Sequence, residues 1–275
     1  MGMACWHPMT LDLWKYGDID MPIIAISNQK GGVGKTTTTV NLAAALNQLC
    51  NRVLVVDFDP QANATLHLGV QPNDLQASVN EAVLGRRTFS AIIQPLSEKL
   101  HLAPSHPRLA KGAQAMAAMP ESHTQLSYRL EDVKANYDYI IIDCPPSVYA
   151  LSENAIAAAD HVIVPVNADY LSLEGLGRFR ADIDGLRQEG KTKATLLGIL
   201  ITVVDQRKGI TGQSVDLIRE HFKKLVFDTE IRINVKLEEA PSFGQHIFDY
   251  APTSVGATCY ARLAKEVIKR CQRAN

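Results

Sequence analysis

The sequence lacks the features that would take it out of the ordinary globular class. No apolar run approaches the ~18 residues of a helical membrane span, and the first residues have neither the basic start nor the apolar stretch of a secretion signal. The five cysteines, Cys5, Cys50, Cys144, Cys259 and Cys271, are odd in number and far apart, with no C-x-x-C pair and no His/Cys cluster. That pattern argues against a disulfide framework and against zinc, and it suits a reducing cytoplasm. An excess of positive charge is missing too: 28 Lys and Arg stand against 29 Asp and Glu, for a net charge of −1. Any contact with nucleic acid must therefore come from a local patch. No linker or shift in composition divides the chain.

What is present is a chain of 275 residues, 46 % hydrophobic and 21 % charged, which is long enough to bury a sizeable core. The most informative stretch is Gln29-Lys30-Gly31-Gly32-Val33-Gly34-Lys35-Thr36-Thr37. Before it, Ile23-Ile24-Ala25-Ile26 reads as a buried strand; after it, Val40, Leu42, Ala43, Ala44, Leu46 and Leu49 predict a helix. Strand, glycine loop and helix form the context of a phosphate loop. The glycines turn backbone N–H groups toward phosphate oxygens, Lys35 adds positive charge, the Thr36 hydroxyl can ligate Mg²⁺, and the helix N-terminus favours an anion. The common form of this loop has glycine where Gln29 stands, and this one carries an additional lysine, Lys30.

Two further strands end in acids. Arg52 to Val56 runs into Asp57-Phe58-Asp59-Pro60-Gln61, and carboxylates at that end of a parallel strand lie where open α/β sheets bind ligands. Asp57 and Asp59 share a face if strand geometry persists. Tyr139 to Ile142 ends in Asp143, the Walker B form, whose carboxylate holds Mg²⁺ or its water. Cys144 follows it, but no His or Asn is placed to activate the thiol as a nucleophile. With strands at 161–166 and 196–204 and helical sequence between, the expectation is one α/β P-loop domain, a mostly parallel twisted sheet with helices on both faces. The stretch Arg262 to Arg273 has the apolar stripe of an amphipathic helix. Residues 1–20 hold both tryptophans, Trp6 and Trp14, and read as an N-terminal extension or a short docking segment ahead of a domain at 21–275.

These motifs resemble the ParA-type partition ATPases, the deviant Walker A group that also includes MinD-like positioning ATPases. The resemblance rests on Lys30 to Thr37, on Asp57 to Gln61, on Ile142 to Ser147, and on two stretches closer to ParA: Pro165 to Tyr170 running into Leu173-Glu174-Gly175-Leu176, and Glu239-Ala240-Pro241-Ser242-Phe243-Gly244. It implies that Lys35 and the backbone of Gly31, Gly32, Val33 and Gly34 hold ATP phosphates, with Thr36 and Thr37 completing the loop. Thr36 and Asp143, with Asp57 as a further candidate, would serve Mg²⁺, and Asp59 would orient the attacking water. Lys30 would reach the nucleotide of a second subunit, closing an ATP-bound homodimer. The resemblance further implies non-specific binding to double-stranded DNA through Arg207, Lys208, Arg232, Lys236, Arg270 and Arg273. It also implies a ParB-like or other cargo adaptor that stimulates hydrolysis, and a cytoplasmic, nucleoid-associated protein with no membrane partner. Alternatives within the group are a MinD-like membrane-associated division-site regulator and an ATPase that positions carboxysomes or chemoreceptor clusters. An iron–sulfur ATPase would need bridging cysteines that Cys144 alone does not supply.

Overall fold

The computed structural model describes residues 21–146, 149–167, 173–204 and 209–274. Strands β1 (Ile23–Ile26), β2 (Val53–Asp57), β3 (Gln94–Pro95), β4 (Leu100–Ala103), β5 (Tyr139–Asp143), β6 (His161–Asn167) and β7 (Thr195–Thr202) form one sheet in the order β3-β4-β2-β5-β1-β6-β7. All pairings are parallel except that of the two-residue β3, which runs antiparallel along β4 at the edge. The expected mostly parallel sheet is what forms. The middles of the strands beside the phosphate loop are apolar, with polar residues at strand ends, because helices cover both faces.

Alternation along each strand sends successive side chains to opposite faces. Ile23, Ala25, Leu54, Val56, Ile140, Ile142, Val162 and Val164 belong to one core. It is covered by α3 (Val79–Val83), α4 (Leu109–Ala117), α5 (Gln125–Leu130), α6 (Tyr149–Ala158) and α7 (Leu173–Gln188), with α8 (Gly209–Phe222) at the β7 edge. Ile24, Ile26, Val53, Val55, Ile141 and Ile163 belong to the other. That face is covered by α1 (Lys35–Gln48) and α11 (Val255–Ala274), with the short helices α2 (Asn63–His67), α9 (Val235–Glu239) and α10 (Ile247–Tyr250) beside them.

Helix α1 is a poor helix former in isolation, with β-branched Thr36, Thr37, Thr38, Thr39 and Val40 in succession, and it forms because it is buried between sheet and α11. Its inward polar groups are paired: Thr38 Oγ1 lies 3.3 Å from Tyr260 Oη, and Asn41 Oδ1 accepts from Ile247 N at 2.8 Å. The apolar stripe expected on the last helix packs here, with Leu263, Ala264, Val267 and Cys271 all buried.

Helix α2 ends under the turn at 244–247. Gly69 and Gly244 meet so closely there that a Cβ on Gly244 would lie 2.7 Å from Gly69 Cα. His67 is enclosed by the same contact at 3 % exposure, and its Nε2 has no hydrogen-bond partner among the described residues. Burial, helped by neighbouring His246, pushes the His67 pKa down to about 4. His246 in turn accepts from Asp249 N and faces the Asp249 carboxylate at 3.2 Å. A folded pKa of about 4 against an ordinary 6.5 means His67 contributes stability that is present above pH 6.5 and lost as pH falls toward 4. The loss by pH 4.5 is on the order of 2–3 kcal/mol. Asp57 and Asp143, raised to about 6 and about 8, act in the opposite sense, so the informative quantity is a difference. In urea unfolding at pH 7 and pH 4.5, His67→Leu is expected to lose markedly less stability than the wild-type chain; equal losses would show that His67 is not the acid-sensitive group.

Candidate nucleotide site

The phosphate loop leaves β1 at the centre of the sheet, where β5 and β6 flank it. Ser27 N donates to Ile163 O at 3.1 Å, prolonging the β6 pairing, and Asn28 then pins the loop's entry. Its Nδ2 donates to Pro165 O at 2.7 Å while its Oδ1 accepts from Lys30 N at 3.0 Å. Gly32 and Gly34 have φ of +72° and +78°, which a side chain would oppose. A Cβ placed on Gly31 or Gly32 would meet nothing within 4 Å, so the crest of the loop borders open space and not packed protein. Lys30 is exposed on this crest, and its carbonyl accepts from Lys35 Nζ at 2.8 Å. Burial lowers the Lys35 pKa, with the Asp143 carboxyl opposing the shift.

Three carboxyl groups converge below the loop, from the carboxyl ends of β2 and β5. Asp143 is fully buried; its Oδ2 accepts from Thr36 Oγ1 at 2.8 Å and its Oδ1 from Thr39 Oγ1 at 3.0 Å. Burial and the nearby Asp57 carboxyl push Asp143 up to about 8, against the pull of the two threonine hydroxyls. Asp57 is also fully buried and is raised to about 6, chiefly by burial. Both of its oxygens are engaged: Oδ2 accepts from Thr65 N at 2.7 Å and Thr65 Oγ1 at 2.6 Å, and Oδ1 accepts from Asp59 N at 3.2 Å. Asp57 is thus bound through three hydrogen bonds to the loop that follows it, whereas Asp143 is bound to the threonines of the phosphate loop and α1. Asp59 is 6 % exposed and accepts from Gln61 N at 2.9 Å through Oδ1, while its Oδ2 has no such bond among the described residues. Cys144 is buried, and burial pushes its thiol well above the ordinary range, which opposes a nucleophilic role.

A hard divalent cation suits this chemistry. Thr36 and Asp143 are oxygen donors already in contact, and a crowd of buried acids next to one lysine is short of positive charge. Among the described residues no group of three or more His, Cys, Asp or Glu forms a metal cage. Mg²⁺ takes one or two protein ligands and completes its shell with phosphate oxygens and water, and Thr36 and Asp143 offer such a pair.

One loop support went unread in the sequence. Thr202, at the carboxyl end of β7, has its Oγ1 2.9 Å from Val33 O and 3.0 Å from Val166 O, tying the loop to the strand ends on its far side. Its only sequence signal is a threonine closing an apolar strand. Val203 follows at φ +55°, a conformation β-branched residues rarely adopt. The chain then bridges from Val204 to Arg232, bringing residues 231–233 to the same end of the sheet.

Among the described residues, the expected DNA-contacting side chains are not gathered in one place. Arg207 and Lys208 lie outside the described residues, as do Ala168 to Ser172 of the Pro165 to Leu176 stretch. Arg232 is exposed at the carboxyl end of β7, and Lys236 is exposed but paired with Glu239 at 2.8 Å. Arg270 serves the fold instead. Its guanidinium donates to Leu197 O, Leu225 O and Val226 O at 2.7–3.1 Å and lies 4.0 Å over the Phe227 ring. An arginine bound to three carbonyls of the fold has little left for phosphate. Arg273 lines an open groove of about 840 Å³ at the amino end of β7, together with Lys223, Lys224 and Lys269. An eight-residue strand spans roughly 25 Å, so this basic groove and Arg232 are far apart.

Residues 21–196 match the family model described as an AAA domain. The chain is 44 % identical over 251 residues to the chromosome-partitioning ATPase Soj of Thermus thermophilus, covering 91 % of this chain and 97 % of the relative. It is 41 % identical over 249 residues to the chromosome partitioning protein ParA of Myxococcus xanthus, covering 90 % and 88 %. This chain belongs to the ParA/Soj family of P-loop ATPases. Among solved structures, this ParA-family chain is similar to the cobyrinic acid a,c-diamide synthase of Mycobacterium smegmatis with bound ATP analogue and magnesium. The TM-score is 0.80 at 30 % identity, over 92 % of this chain and 97 % of that one.

The support from β7 yields a test within this ParA-family site. Thr202→Val keeps the shape but removes the hydroxyl from Val33 O, so nucleoside triphosphate affinity should fall about tenfold, the worth of a buried hydrogen bond of ~1–1.5 kcal/mol. Titration with a fluorescent nucleotide analogue measures it, and an unchanged affinity in a normally folded variant would remove Thr202 from the loop's support.

Proposed function

We propose that this chain is a Mg²⁺-dependent ATPase that partitions DNA or positions another cargo: an ATP-bound homodimer binds DNA non-specifically and is released when an adaptor protein stimulates hydrolysis. The observation that carries the reading is the meeting of Lys35, Thr36, Asp59 and Asp143 beside one glycine loop, with buried acids below it and open space at its crest. The Mycobacterium smegmatis structure holds an ATP analogue and magnesium, which supports the same pair of ligands here.

Phosphoryl transfer asks for positioning and charge neutralisation and not for a covalent intermediate. The loop's N–H groups and the N-terminus of α1 receive the phosphates. Lys35, now bonded to Lys30 O, is placed to exchange that carbonyl for a phosphate oxygen. Thr36 and Asp143 would hold Mg²⁺, which neutralises charge on the phosphates when bound. Asp59 has a carboxylate oxygen left to orient water. Lys30 stands on the exposed crest, where a second copy meeting this face would bring it to the opposite nucleotide, as an arginine finger acts in trans.

DNA contact is assigned to the exposed cations at the β7 edge. Arg232 lies at the nucleotide end and Lys223, Lys224, Lys269 and Arg273 surround the groove at the other, with Arg207 and Lys208 as further members by resemblance. A MinD-like membrane role has less support, since the apolar stripe of α11 is already packed against α1. The protein is thus expected on the nucleoid in the cytoplasm.

The test is a DNA titration with ATP, with ADP and without nucleotide, using wild type and Lys30→Ala. Wild type with ATP should dimerise and bind duplex DNA, with affinity falling steeply as salt rises, by roughly one logarithmic unit per unit of log salt for each phosphate contacted. Lys30→Ala should lose ATP-dependent dimerisation, DNA binding and hydrolysis together. A Lys30→Ala protein that still dimerises with ATP would sink the in-trans role, and a wild-type dimer without DNA affinity at low salt would sink the DNA-bound function.

A further inference from the structure

The segment between β2 and α2 carries Asp59, and it is held at both of its ends by groups that no part of the site so far explains. Thr65 and Ser105 are fully buried polar residues away from the phosphate loop. Thr65 donates to Asp57 Oδ2 from both its N–H and its hydroxyl, and the same hydroxyl accepts from Ser105 N at 2.9 Å. Ser105 Oγ then donates to the backbone carbonyl of Asp59 itself at 2.7 Å. Asp57 closes the ring by accepting from Asp59 N at 3.2 Å. The backbone of Asp59 is therefore gripped at its N–H by Asp57 and at its carbonyl by Ser105, with Thr65 joining the two grips.

We propose that Thr65, acting through Asp57, and Ser105, acting directly on the Asp59 carbonyl, are positioning residues for hydrolysis: they fix the backbone of Asp59 so that its carboxylate Oδ2 faces the attacking water. The inference rests on the reading that Asp59 orients that water. Three observations favour it over a general structural role. Asp57 and Ser105 hold opposite ends of one residue's backbone, the Asp59 N–H and carbonyl, the latter accepting also from Ala62 N at 2.9 Å. The segment needs restraint, since Pro60 and Gln61 form a turn that runs into Ala62 at φ +54°, a left-handed alanine that the chain does not adopt at no cost. And Ser105 stands two residues beyond the end of β4, which pairs with β2, so the anchor lies close to a strand end of the rigid sheet. Asp57 is accounted for at the same time: its carboxylate is the hub of this ring.

A displacement of the carboxylate by about 1 Å is enough to lower turnover about a hundredfold while leaving the bound phosphates where they are. Thr65→Val keeps the side-chain shape and removes the hydroxyl; Thr65→Ser keeps the hydroxyl; Ser105→Ala removes the second grip. Single-turnover ATP hydrolysis and ATP affinity are measured for each in the full chain, with thermal unfolding alongside and Asp59→Ala as the reference. Thr65→Val and Ser105→Ala are expected to lose at least about tenfold in rate with ATP affinity within about threefold of wild type, and Thr65→Ser is expected to restore the rate to within about threefold. Should Thr65→Val fail to fold, Ser105→Ala and Thr65→Ser carry the comparison. Rates at the wild-type level in folded Ser105→Ala would overturn the proposal, as would ATP affinity falling as far as the rate. An Asp59→Ala protein that hydrolyses ATP normally would instead overturn the reading of Asp59; inactive Asp59→Ala beside fully active Thr65→Val and Ser105→Ala would leave that reading intact and reject the clamp alone.

Discussion

The contact on which the rest of this structure depends is the bond of Thr36 and Thr39 to Asp143. It joins the first turn of α1 to the end of β5, and β5 lies between the strand that launches the phosphate loop and the strand that carries Asp57. A fully buried carboxyl would be costly without partners, and here two hydroxyls supply them. The same need for compensation makes the place suitable for a cation. Asp143 and Asp57 are raised by burial and by neighbouring acids, with one buried lysine beside them, so a positively charged ligand offsets the cost of gathering them there.

From that centre the supports run outward in two directions. On one side Asn28 and Thr202 hold the loop to β6 and β7, so its shape is set by strand ends and not by the glycines alone. On the other, Asp57, Thr65 and Ser105 hold the Asp59 segment to β4. A site that must receive phosphates, a cation and a water in fixed relation gains from being tied to one rigid sheet on both sides. The groups that must meet other molecules, Lys30 on the loop crest and the cations at the β7 edge, are left on the surface.

Arg270 shows how a reading of charge goes astray. In sequence it is one of several basic residues on the polar side of an amphipathic stripe. In the fold it enters the space left by Gly198, where a Cβ would lie 2.6 Å from the guanidinium, and there it satisfies three carbonyls and stacks on Phe227. Helix periodicity reports which face a residue occupies, but not whether a long side chain folds back under its own helix.

The sequence by itself determined the mostly parallel sheet, the phosphate loop and the two acid-ending strands, because each is written in neighbouring residues: apolar runs of strand length, glycines before a lysine, an aspartate where a strand stops. Family membership followed from the same local motifs. Only the tertiary structure decided the strand order, the two-residue antiparallel edge at Gln94–Pro95, the support of Val33 by Thr202, and the ring through Thr65 and Ser105. Thr202 stands 169 residues from Val33, and Ser105 stands 40 from Thr65. Contacts of that span depend on which strands lie side by side, and a single hydroxyl in a sequence carries no sign of the partner it will meet.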